Sequence, residues 1–128
     1  MMDNIELIYN NKNETDDYCV ASYKLIYDDD FAHLFFTIHC DNPLVTKHNK
    51  YYRNTYCIIQ YVFTKEEYRN KKYATCLLLY LQEYCKNNNV KIIKLDDCSA
   101  RFNHSNNLYL KNGFKYVTCG EPEMSFTF

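Results

Sequence analysis

The chain has 128 residues, 47% apolar and 24% charged, with only two Gly and two Pro; that suits one domain over residues 1–128 with a real core and excludes a linker, a collagen-like fibre or a low-complexity tail. A net charge of −1 excludes a broadly basic nucleic-acid binder. The charge is uneven, with four Lys/Arg against nine Asp/Glu in residues 1–50 and eleven against seven in residues 51–128, so a local anion site belongs in the second half.

Ile5 to Tyr9 is a short apolar segment, and the polar run Asn10 to Asp17 (NNKNETDD) reads as a loop after it. Tyr18 to Tyr27 and Phe31 to Cys40 are rich in aromatic and β-branched residues and are joined by Asp28-Asp29-Asp30, which predicts a hairpin. A long polar connection follows from Asp41 to Arg53, containing Pro43, before the strand-like window Thr55 to Phe63 (TYCIIQYVF). The period then changes. Tyr73, Leu77, Tyr80, Leu81 and Tyr84 recur at three- and four-residue spacing, with Gln82, Glu83 and Lys86 opposite, which predicts an amphipathic helix ending at Asn87-Asn88-Asn89. The strand Val90 to Leu95 comes next, so the strand–helix–strand unit calls for a parallel pair. A shorter second helix is expected from Asn103 or Ser105 to Gly113, with a left-handed glycine cap at its end. Two strands, Phe114 to Thr118 and Met124 to Phe128, close the chain around the turn Cys119-Gly120-Glu121-Pro122.

Seven Cys, with no C-x-x-C pair and no Cys/His spacing of a zinc site, imply reduced thiols packed as small hydrophobes, no metal and a cytoplasmic location. The polar start MMDNIE is no signal peptide, and the longest apolar run, Ala74 to Leu81, is far too short to span a bilayer.

The chemistry concentrates after Thr55. A strand that runs into a loop opening a helix presents successive backbone N–H groups and the positive end of a helix dipole, an anion cradle, and Arg69, Lys71 and Lys72 add side-chain charge there. The segment Val62-Phe63-Thr64-Lys65-Glu66-Glu67-Tyr68-Arg69-Asn70-Lys71-Lys72-Tyr73-Ala74 is followed some 35 positions later by Asn107-Leu108-Tyr109-Leu110-Lys111-Asn112-Gly113-Phe114. Together with the element order, the two segments resemble the GNAT N-acetyltransferase superfamily, in which V-[YF]-T leads to Y-R-x-x-G-[YI]-[GA] and a later helix carries L-Y-x-x-x-G-F. The resemblance covers about Thr55 to Phe128.

It implies an α+β fold with a mixed, mostly antiparallel sheet of about seven strands and two main helices, lacking the usual helix pair between the first two strands. It also implies acetyl-CoA as donor. The loop and helix start, Arg69, Asn70, Lys71, Lys72, Tyr73 and Ala74, would hold the pyrophosphate of coenzyme A, with Lys65 or Lys72 reaching toward the 3′-phosphate. Backbone groups of Gln60, Tyr61 and Val62 would take the pantetheine arm like an added strand. Lys72 stands where the family has Gly, a departure that touches cofactor affinity. Asn103, the counterpart of a cofactor-contacting Asn, lies six residues before Tyr109 rather than seven. Tyr109 would protonate the departing thiolate as general acid.

Aminolysis also needs a proton acceptor, and many relatives hold a Glu on the strand matched by Thr55 to Phe63, where this chain has only Gln60. His33, Asp96, Asp97 and Glu121 are substitutes by residue type, each read first as structural or solvated, and Cys98 lacks an assignable His and acid for nucleophilic catalysis. The expected function is transfer of acetyl from acetyl-CoA to a primary amine, on a protein lysine or N-terminus, a polyamine or another small amine. The acidic front, including Asp16, Asp17 and Asp28 to Asp30, would favour a cationic acceptor. A second copy of the chain would complete the open groove, or the groove would admit a bulky acceptor such as a protein lysine or N-terminus. The alternative is an inactive coenzyme A-binding or protein-interaction module of the same fold. Nucleic-acid binding through Tyr51, Tyr52 and Arg53 is disfavoured by the near-neutral charge.

Overall fold

A computed structural model describes residues 4–14, 18–28, 32–46, 49–68, 72–97, 107–118 and 120–128. Its elements are β1 (Ile5–Glu14), β2 (Tyr18–Tyr27), β3 (Ala32–Thr46), β4 (Asn49–Thr64), a 3-10 turn (Glu66–Tyr68), α1 (Tyr73–Asn87), β5 (Ile92–Asp96), α2 (Leu108–Lys111), β6 (Lys115–Tyr116) and β7 (Glu123–Thr127). They form one seven-stranded sheet in the order β1-β2-β3-β4-β5-β7-β6. The first four strands are an antiparallel meander, β4 and β5 are parallel, and β7 pairs antiparallel with both β5 and β6. This is the mixed, mostly antiparallel α+β architecture expected, with α1 as the crossover that a parallel pair requires.

Three expectations are corrected. The loop placed over Asn10 to Asp17 is strand as far as Glu14, because β1 continues past a bulge at Asn10 and keeps pairing through Glu14 opposite Cys19. Only positions 15–17 separate β1 from β2, too few for a helix pair. The polar connection Asp41 to Arg53 is likewise strand, since β3 and β4 extend through it and pair Asp41 with Arg53 and Thr46 with Asn49. Pro43 lies in the step between Asp41 and Leu44 where the ladder shifts, the place that tolerates a missing N–H. The second helix starts at Leu108 with Asn107 as its cap; the caps expected at Asn103 and Ser105 lie outside the described residues.

The core occupies one face of the sheet. Leu25, Leu34, Phe36, Cys57, Ile93 and Met124 are fully buried against Leu77, Leu78, Leu81 and Cys85 of α1. Leu108, Tyr109 and Leu110 of α2 pack against the same cluster, and Gln82 Nε2 of α1 donates to the carbonyl of Asn112 at 2.9 Å. Both helices therefore cover the same face, and among the described residues no helix covers the other. The thiols of Cys19, Cys57, Cys76 and Cys85 are free and buried. Burial, with the neighbouring Cys85 thiol, pushes the Cys57 thiol well above its ordinary range, as befits a packing residue. No helix among the described residues is long and apolar enough to cross a membrane.

Candidate functional site

Parallel pairing between β4 and β5 is brief. It joins Tyr56 to Ile92, Cys57 to Ile93 and Ile58 to Lys94, after which β4 continues through Ile59–Thr64 while Leu95 and Asp96 pair with β7. The two strands thus part company at Ile58 and leave a backbone edge on β4. At the mouth of this splay sits a bulge. Tyr61 pairs with Phe35 and Ile59 with Phe36, so Gln60 has no register partner on β3 or on β5 among the described residues. Gln60 and Tyr61 are exposed and Val62 half-buried.

The strand leads through the 3-10 turn to α1. Lys72, its N-cap, is exposed and adopts φ 65° and ψ 18°, the left-handed region, and no side chain caps the helix there. The first α1 bond runs from Cys76 N–H to the Lys72 carbonyl at 3.0 Å. Tyr73 rests its ring on Tyr27, centroids 4.7 Å apart, and Ala74 is half-buried. Arg69, Asn70, Lys71, Cys98 and Asn103 lie outside the described residues.

A second group ties the end of β5 to α2. Asp97, 2% exposed, accepts from Asn107 Nδ2 at 2.9 Å and from the Tyr116 hydroxyl at 2.5 Å. Asn107, 5% exposed, accepts in turn from the backbone N–H groups of Tyr109 (2.8 Å) and Leu110 (3.0 Å), which is side-chain N-capping of a short helix. Burial first, then the Asp97 bond and charge, pushes the Tyr116 phenol up to about 12. The half-buried Tyr109 stands on this helix with its ring edge-on to Phe114 at 5.8 Å. Gly113, φ +91°, ends the helix as expected.

The remaining titratable candidates scatter. His33 lies on the uncovered face among Phe35, Tyr61 and Phe63, with ring centroids 5.1–6.1 Å away. Asp96 and Glu121 are exposed. Asp97 is committed to two donors, so its carboxylate serves structure.

A model of the acetyltransferase (GNAT) family matches residues 12–114. The chain belongs to that family. This GNAT chain superposes with TM-score 0.54 on an acetyltransferase of the same family from Staphylococcus aureus Mu50, at 17% identity over 84% of this chain and 67% of the other. It also superposes with TM-score 0.51 on the PaiA N-acetyltransferase from Thermoplasma acidophilum in complex with coenzyme A, at 18% identity over 85% of this chain. Against PaiA the chain spans about three fifths of the length, 61%. No curated protein sequence matches it significantly. At such identities the likeness speaks to the fold.

Sequence reasoning missed two features of this GNAT domain. The bulge at Gln60 depends on register with β3 and has no local signal. The Asp97–Asn107–Tyr116 group joins residues up to nineteen positions apart, and its one visible trace is an Asn two places before Tyr109.

Proposed function

We propose that the chain is an N-acetyltransferase that takes the acetyl group from acetyl-CoA and passes it directly to a primary amine. The observation carrying this reading is the splay of β4 from β5 at Ile58, with the Gln60 bulge at its mouth and the start of α1 immediately downstream. An exposed strand edge takes an amide-bearing arm by strand addition, which suits pantetheine along Gln60, Tyr61 and Val62. The start of α1 and the residues before it, Arg69 to Ala74, supply N–H groups and charge for the pyrophosphate. Lys72 holds a left-handed backbone, a region that Gly enters freely, so a backbone course open to Gly is kept here despite the side chain. The relative crystallised with coenzyme A supports the donor, and Asn103 is assigned a contact with it.

With acetyl-CoA held there, backbone N–H groups of β4 near the bulge would stabilise the oxyanion that develops on the thioester carbonyl. The amine nitrogen attacks the carbonyl carbon, the C–S bond breaks, and Tyr109 gives its phenolic proton to the leaving thiolate. The Asp97–Asn107 pair keeps Tyr109 in place by capping its helix. Catalysis then rests mainly on positioning.

The test is thermal unfolding with acetyl-CoA, free coenzyme A or ATP, followed by turnover on amines. Acetyl-CoA at a hundred times its Kd adds about 2.7 kcal/mol of stability. The expected pattern is a shift with both coenzyme A forms, lost in Arg69→Ala and kept in Tyr109→Phe, whose turnover falls. A shift without turnover on any amine would favour the binding-module reading, and no shift near millimolar ligand would reject coenzyme A binding.

A further inference from the structure

No residue of β4 bears a carboxylate, yet the attacking nitrogen must lose a proton as the amide forms. The uncovered face of the sheet offers another route. Thr37 pairs with Ile58, and Ile58 with Lys94, so Thr37 stands in the cross-strand row where the splay opens. Gln60 Nε2, on the bulge, donates to Thr37 Oγ1 at 3.0 Å, and Thr37 Oγ1 lies 2.8 Å from His39 Nε2.

The tautomer of His39 sets the direction of this chain. A hydroxyl carries one proton and two lone pairs, and the Gln60 amide occupies one lone pair. The Thr37 proton is then directed at His39 when Nε2 is the bare nitrogen and the ring proton sits on Nδ1. His39 is held in plane by stacking on Tyr56, centroids 4.9 Å apart and planes 6° from parallel. Among the described side chains, those facing it include Tyr56 on β4, Lys94 on β5, whose ammonium lies 4.7 Å from the Tyr56 centroid, and the uncharged Val20 opposite it on β2. His33, farther along β3, lies instead among three aromatic rings.

We propose that the acceptor amine approaches over this uncovered face and that Thr37 and His39 carry its proton away. This rests on the transfer reading above. The incoming neutral amine displaces the Gln60 amide from Thr37. As its nitrogen bonds to the thioester carbon, its proton passes to Thr37 Oγ1 while the original Thr37 proton passes to Nε2 of His39. The thiolate leaves with the Tyr109 proton. The imidazolium then releases one proton to water and the phenolate regains one, so an amine and an acetyl thioester become an amide and a thiol with nothing else consumed. Thr37 touches the substrate, and His39 acts through it.

Two readouts test this on the full chain. The 15N shifts of the His39 ring should report the Nδ1–H tautomer, and Thr37→Val should abolish that preference; an Nε2–H tautomer in the wild type overturns the route. With acetyl-CoA and spermidine or a lysine-bearing peptide, His39→Gln and Thr37→Val should each lower kcat about a hundredfold with the KM for acetyl-CoA unchanged, and Thr37→Ser should restore most of it. The rising limb of the kcat–pH profile should vanish in His39→Gln. Wild-type kcat and pH profile in His39→Gln overturn the proton route and leave the transfer reading standing. Thermal stabilisation by acetyl-CoA with no wild-type turnover on either amine overturns both.

Discussion

The two faces of strands β3 and β4 carry alternate residues of the same segments and have different fates. Leu34 and Phe36 point inward and are essentially inaccessible beneath α1, whereas His33, Phe35 and Thr37 between them remain half-buried on the uncovered face. After the bulge the alternation on β4 resumes in the opposite phase, leaving Val62 opposite the buried Leu34 and Tyr61, 48% exposed, opposite Phe35. One face is organised as a packed interior, where loss of atoms leaves cavities. The other holds rings and hydrogen-bonding groups beside the splay.

The largest expected effect breaks the inner face. Leu81→Ala removes a fully buried side chain and should cost about 2–5 kcal/mol, whereas Tyr61→Ala on the outer face should stay within about 0.5 kcal/mol; urea unfolding of both variants checks the contrast, and similar losses would break it. Asp97→Ala, which strips the acceptor from two partners of a buried group, should cost about 1–3 kcal/mol and also reduce turnover, because the cap on the Tyr109 helix loosens. Gly113→Ala meets both a positive φ and the Phe126 ring, 2.9 Å from the added carbon, and should lose about 1–2 kcal/mol; a wild-type melting temperature would show that the helix end can rearrange. Lys72→Gly runs the other way. Relief of the left-handed strain, less the extra freedom of glycine in the unfolded chain, should stabilise by up to about 1 kcal/mol, and calorimetry would register it as a small rise in Tm.

Alkaline titration sharpens the same comparison for the group below β5. The Tyr116 phenol is raised in the folded state, from an ordinary value near 10 to about 12. Its contribution to stability is complete below pH 10 and is lost as the pH climbs through 12. Tyr116→Phe should therefore lose less stability than the wild type between pH 10 and pH 12 in equilibrium unfolding.

Much of the fold was legible in local pattern. The helical period of Tyr73, Leu77, Tyr80, Leu81 and Tyr84 marks α1, which runs from Tyr73 to Asn87, and the strand after it made a parallel pair unavoidable. The polar strand extensions were not legible, because Asn, Lys and Asp have low strand propensity, and backbone pairing with β2 and between β3 and β4 overrides it. Of the candidate site, the strand-to-helix connection from β4 to α1 could be read from residue order. Asp97 could not be distinguished from its exposed neighbour Asp96, since burial is a property of the packed chain.

By itself the sequence determined the succession of strands and helices, the crossover through α1 and the lack of a carboxylate in Thr55 to Phe63, because these depend on residue identity and on periods of two and 3.6 residues along the chain, and the resemblance of its two motifs to the GNAT family implied the α+β class. Tertiary structure alone decided the register that expels Gln60 as a bulge, the parting of β4 from β5, the burial of Asp97 and the alignment of Gln60, Thr37 and His39. Each of these joins residues distant in sequence, and a change of one residue in pairing register would move every side chain of a strand to the opposite face.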